Sequence, residues 1–170
     1  MFDQAIRQKS PKESNLSNYL PYPLISDEDG FLFTTDAGIE YRILTRPDAD
    51  YFPDLEFAES IFSFSFYPAN NAEPSKESDP RIECTVIYAL VLIFDSRPDV
   101  VLSFTCSTKD GRERHRSILF GKWFSQYGGG YTRIKRSNPQ TSFYAYTIFL
   151  ADHPHSEQIK EEFERVYINK

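Results

Sequence analysis

Phe62-Ser63-Phe64-Ser65-Phe66 alternates aromatic and small polar residues with a period of two. A helix would scatter these phenylalanines around its circumference, whereas a strand sets all three on one face. The segment is therefore a strand whose phenylalanine face belongs to a core. Its serine face is small and uncharged, which leaves room there for another layer or a partner.

The same alternation recurs upstream. Phe31 to Thr35 leads into Asp36-Ala37-Gly38, a turn signal, after which Ile39, Tyr41 and Ile43 share one face and Glu40 and Arg42 the other. This predicts a hairpin. The acidic run Asp27-Glu28-Asp29 ahead of it is followed by Gly30 and reads as a turn.

Downstream the period changes. Asp79 stands as a cap, Pro80 suits the first helical position, and Glu83 falls in the first turn. Ile82, Val86, Ala89, Leu90 and Ile93 then recur at helical spacing until Asp95-Ser96-Arg97-Pro98. Val100 to Thr105 is a short apolar run with the character of a central strand buried on both faces. Asp110 is placed to cap a second helix through Tyr127, which Gly128-Gly129-Gly130 ends because three glycines forfeit too much backbone entropy to stay helical. Tyr131 to Arg136 and Ser142 to Leu150 read as strands around Ser137-Asn138-Pro139-Gln140. Ser156 opens a last helix to about Tyr167, with Ile159, Phe163 and Val166 facing inward.

The predicted order is β-β-β-α-β-α-β-β-α. It implies an α+β fold with a mixed, mostly antiparallel sheet and helices packed on one face. Residues 1–24 read as a polar N-terminal arm and 25–170 as a single domain. At 170 residues the chain holds one core without a disulfide or metal staple. An aromatic share of 16% supports a β-rich core and excludes a disordered chain.

Several chemistries find no support. The longest apolar stretch, Val86 to Phe94, is about half of a membrane span, and no apolar run follows the N-terminal charges as a secretory signal would require. A cytoplasmic location and no membrane partner are expected. Cys84 and Cys106 stand alone and read as reduced buried thiols. Asp48, Asp50, Asp54, Glu56 and Glu59 mimic a calcium loop, but Pro53 occupies the position that needs glycine. His153 and His155 have no third ligand fixed by spacing. The glycine run closes a helix, whereas a phosphate loop opens one. No catalytic residue, metal or cofactor is read from the sequence.

Charge is the informative feature. The net charge is −6, yet residues 1–100 carry 8 basic against 18 acidic side chains and residues 101–170 carry 11 against 7. Between 109 and 136 there are eight basic residues and two acidic ones. Candidate binding residues are Arg112, Arg114, His115 and Arg116 on the second helix, with Arg133, Lys135 and Arg136 on the strand after it. Such a cluster grips phosphates or an acidic surface, or pairs with carboxylates elsewhere in its own chain.

Thr105-Cys106, Asp110-Gly111-Arg112, Arg116, Leu119-Phe120 and Trp123-Phe124 together resemble the signature of a bacterial family of small domains of unknown function. Phe33 to Gly38 with Tyr41, and Phe62 to Phe66, are similar to its opening strands, and Asp79-Pro80-Arg81-Ile82 with Thr85 to its first helix. The likeness covers about residues 25 to 167. It implies a bacterial cytosolic protein and brings no activity.

The leading expectation is a non-enzymatic protein-binding or regulatory module, with Tyr19, Tyr22 and Tyr51 as exposed aromatic anchors beside the arginines. One alternative is a phosphate-containing small ligand, or an enzyme, at Arg112, His115 and Arg116. A third is nucleic acid on Arg112, Arg114, Arg116 and the strand Arg133 to Arg136, disfavoured by the acidic remainder of the chain.

Overall fold

Among the described residues seven strands form one sheet and three helices cover it. The computed structural model describes residues 19–69, 73, 79–107, 109 and 111–167. The elements are β1 (Ile25–Ser26), β2 (Gly30–Thr34), β3 (Glu40–Pro47), β4 (Ile61–Pro68), α1 (Pro80–Ser96), β5 (Val101–Thr105), α2 (Glu113–Tyr127), β6 (Tyr131–Asn138), β7 (Phe143–Leu150) and α3 (Ser156–Tyr167). Spatial order is β1-β2-β3-β4-β5-β7-β6. All neighbours run antiparallel except β4 and β5, which are parallel and joined through α1.

The predicted elements appear in the predicted order, with the two-residue β1 and two 3-10 turns (Ala49–Tyr51 and Ala58–Ser60) added. Asp79 caps α1 by accepting a hydrogen bond from the Arg81 amide at 2.9 Å. Asp110 lies outside the described residues, and the position before α2 is held by Arg112, whose side chain makes no capping bond.

Alternation divides the sheet into two faces. Phe33, Tyr41, Ile43, Phe64 and Leu102 pack with Val86, Ala89, Ile93 and Phe94 of α1 and Trp123 of α2. Tyr22, Phe33, Tyr41 and Phe66 form a chain of near-parallel rings along this layer, with neighbouring centroids 5.2–6.4 Å apart. Ile61, Val101 and Phe149 point the other way and pack with Ile159 and Phe163 of α3 and with Phe52 and Phe57. Helices therefore sit on both faces rather than one. The reason lies in β5 and β7, whose adjacent residues Val101 and Leu102, and Ile148 and Phe149, feed opposite layers.

Tyr22 also departs from expectation, being buried rather than exposed. Its hydroxyl donates to Asp79 Oδ2 at 2.8 Å and accepts from the Asp36 amide at 3.2 Å, while its own amide donates to Thr85 Oγ1 at 2.8 Å. The Arg81 guanidinium lies 3.8 Å from the ring centroid. Residues 19–24 are thus fastened along α1. Tyr19 is 51% exposed, and the side chain of Tyr51 lies outside the described residues. Residues 1–18, most of the expected arm, also lie outside them.

At the far end of the sheet His153 is a structural residue. Its Nδ1 accepts from the His155 amide at 3.1 Å, which leaves the proton on Nε2 to donate to the Asp99 carbonyl at 2.9 Å. His155 stacks on Phe57 with centroids 4.7 Å apart.

Candidate functional site

The basic segment folds into α2, the turn after it and the edge strand β6. The turn requires glycine at one place, Gly130, whose φ is +92°. α2 lies on the sheet through Ser117 and Trp123, with Leu119 and Phe120 partly buried beside them. Tyr146 of β7 locks it there: its hydroxyl donates to the Ser117 carbonyl at 3.0 Å and meets the Ser117 hydroxyl at 2.5 Å.

The seven candidate residues do not form one cluster. Arg112, Arg114 and His115 are exposed around the first turn of α2, whereas Arg116 is half-buried and donates from Nη1 to the Ser107 carbonyl at 2.7 Å. This last contact ties the end of β5 to the helix. Arg136 points to the opposite face of the sheet and pairs with Glu164 of α3. Arg133 lies over the Phe124 ring, 4.7 Å from its centroid, and Lys135 stands 5.9 Å from the centroids of Tyr144 and Tyr146. Among the described residues Arg114, Lys122, Arg133 and Lys135 carry no ion pair.

A surface that the candidate set named only in part emerges instead. Arg114, Ile118 and Lys122 recur every four residues and form one exposed stripe, with Ile118 51% exposed at its centre. Beside it Gly121, Ser125, Gln126 and Arg133 line a shallow groove. The four-residue spacing was legible in the sequence. Which side of the helix met the sheet was less so, because Ile118 sits between the buried Ser117 and the packed Leu119.

Cys106 lies at the end of β5 near this helix, and burial pushes its thiol up to about 11 against the opposing pull of Arg116 and Lys135. At neutral pH it is a protonated thiol and a poor nucleophile. Cys84 is also free and buried. Among the described residues no group of three or more His, Cys, Asp or Glu side chains is placed to hold a metal. No helix among them is long and apolar enough to cross a membrane.

The serine face of β4 opens into a second groove, where Ser63, Ser65, Ser103 and Thr105 meet Asp48, with Phe143 and Tyr167 beyond. Ser103 donates to Asp48 Oδ2 at 3.2 Å, and desolvation holds the Asp48 carboxyl above its ordinary range despite that bond. The native chain therefore keeps this proton more tightly than the unfolded chain. Stability from this group falls as pH rises from about 4 through the raised value. Asp48→Asn is expected to raise Tm at pH 7, and the gain should disappear near pH 4. A gain of equal size at both pH values in thermal melts would refute the assignment.

The model of a family of unknown function, DUF6169, matches residues 78–165. The chain belongs to that family. The DUF6169 match takes in α1, β5, α2, β6, β7 and most of α3, and with them both the basic segment and the Ile118 stripe. The opening strands, including Phe33 to Tyr41 and Phe62 to Phe66, lie ahead of the matched span. No curated protein and no solved structure matches the chain.

Proposed function

We propose that this DUF6169 member is a non-enzymatic protein-binding or regulatory module of the bacterial cytoplasm, and that the outer face of α2 receives an acidic segment of a partner protein. The observation that carries the reading is Ile118, 51% exposed between Arg114 and Lys122. Neither flanking cation has an ion pair among the described residues. An apolar centre within a charged rim is the anatomy of a protein interface. The rim charges steer an acidic partner and set the salt dependence. Lys135 on the adjoining edge strand extends the same positive surface, and two free buried cysteines suit a reducing compartment.

A phosphate ligand at Arg112, His115 and Arg116 is less favoured, because Arg116 is engaged with the Ser107 carbonyl. Nucleic acid is disfavoured because Arg136 faces α3, away from α2.

The test is affinity capture from the native host with the wild-type chain and with Arg114→Glu/Lys122→Glu, in lysate treated with nuclease. Both positions are exposed, so the variant should melt within about 0.5 kcal/mol of wild type. A stoichiometric acidic protein, retained by wild type and reduced at least about tenfold in the variant, is the expected result. Equal recovery by both chains, or capture only of nucleic acid in untreated lysate, would overturn the reading.

A further inference from the structure

The serine face of β4 takes no part in the α2 surface. Ile61 of β4 and Val101 of β5 pair in register within the layer under α3, whereas the next pair on that face, Ser63 and Ser103, lies outside that layer. Ser65 and Thr105 continue the face, and a groove of about 450 Å³ runs over the four hydroxyls. That volume falls in the range of small-molecule sites. Long charged side chains, the usual cover of a solvated sheet face, are missing from its lining among the described residues. The rings of Phe143 and Tyr167, with centroids 5.6 Å apart, wall it instead.

Asp48 is the one charged residue in this lining among the described residues. It precedes the 3-10 turn Ala49–Tyr51, a position where aspartate commonly caps, yet its side chain makes no capping bond. The carboxylate turns to the groove floor and accepts from the Ser103 hydroxyl through Oδ2. Ser103 is only 4% exposed, so this bond anchors the carboxylate to the interior. Oδ1 has no partner among the described residues and is not sealed from solvent. No ion pair among them neutralises Asp48, and no charged group contributes to the rise of its carboxyl, which burial causes. Arg46 pairs with Ser63 across β3 and β4, but it is exposed and stays outside the lining.

Charge and hydroxyls together decide what the groove accepts. An anion would meet a carboxylate and no cation. A neutral ligand would leave a partly buried carboxylate without a counter-ion. A bare divalent metal needs more oxygen ligands than one carboxylate anchors, and no acidic group among the described residues is placed to hold one. An ammonium presents three N–H donors, which match one carboxylate and the hydroxyl oxygens around it. The net charge of −6 also draws cations to the chain. We propose that this groove binds a small organic ammonium, its N–H donors on Asp48 and the serine hydroxyls and its hydrocarbon body against Phe143 and Tyr167. The groove lies on the α3 side of the sheet, so the site does not depend on the partner surface of α2.

Benzylamine, benzyl alcohol and benzoate share one ring and differ in charge, so together they separate charge recognition from apolar contact. Titration of the full chain at pH 7, followed by amide NMR shifts at Ser103 and Thr105, should show benzylamine binding that saturates within about 50 mM. Benzyl alcohol and benzoate should each bind at least about tenfold more weakly. Asp48→Asn should reduce benzylamine to the level of the alcohol in a chain that melts no lower than wild type, which separates lost binding from lost folding. Ser65→Lys, at an exposed position on the same face, should also weaken benzylamine by placing a resident ammonium in the groove. Equal affinity of wild type for amine and alcohol would overturn the proposal, as would the absence of a saturable shift up to about 50 mM ligand. So would an Asp48→Asn chain that keeps the preference for the amine.

Discussion

Gly30→Ala is expected to unfold the chain or bring it to the edge of unfolding. Gly30 begins β2 with φ of +152°, a conformation that residues with a Cβ rarely adopt. It pairs with Leu44 across the hairpin, and a Cβ built on it stands 3.1 Å from the Ile43 carbonyl carbon and overlaps its oxygen. The obstacle is backbone at the centre of a three-stranded meander, which no side-chain rotation relieves. The backbone conformation alone costs about 1–3 kcal/mol for a non-glycine residue. Forced overpacking adds a penalty of about the same size. Against a total stability of about 5–15 kcal/mol, that is enough to lower Tm by more than ten degrees or prevent soluble expression. Gly38→Ala makes the contrast. That residue also has positive φ, +77°, but a Cβ there meets nothing within 4 Å, so only the conformational cost applies. Chemical denaturation of the two variants should rank them in that order, and a Gly30→Ala variant as stable as wild type would refute the geometry.

Phe149→Ala should cost about 3–5 kcal/mol, the usual range for an aromatic side chain removed from a packed interior. Phe149 is fully buried in the layer beneath α3, with Ile61, Val101, Ile159 and Phe163 around it. It also meets the His153 ring edge-on at 5.8 Å. This layer is small, so there is little neighbouring apolar mass to collapse into the void. The expected phenotype is a lower denaturation midpoint together with early exposure of α3, read by amide exchange at Ile159 and Phe163. Should α3 remain as protected as the central strands while global stability falls, the second layer would be part of one cooperative core.

Much of this architecture was legible in the sequence because it rests on local chemistry. The Phe62 to Phe66 alternation, the Asp79-Pro80 start of α1 and the glycine stop after Tyr127 each act over a few residues, and each element formed where its signal lay. The second helical layer was harder to read, although β5 carried the clue. A strand buried on both faces needs cover on both, and Val101 and Leu102 answer to different helices. Tyr22 was misjudged because its burial depends on partners far along the chain, Asp79 and Thr85, which no local pattern reveals. The binding residues divided for the same reason. Sequence groups Arg133, Lys135 and Arg136 as one basic strand, yet strand alternation turns Arg136 toward Glu164 and leaves Arg133 under α2.

The parallel junction of β4 with β5 carries a kinetic consequence. Ile61 and Val101 are forty residues apart in the chain, whereas the β2–β3 and β6–β7 pairs close over short turns. Loop-closure entropy lets the hairpins form early and makes the placing of β5 the slow step, because its pairing with β7 also spans forty or more residues and its junction with β4 requires α1 to be laid across the sheet. Until it closes, the phenylalanine side of β4 stays open to water beside an unpaired strand edge. Refolding yield should therefore fall with protein concentration much more steeply than native solubility does, because the interval of greatest exposure precedes the last pairing event rather than following it.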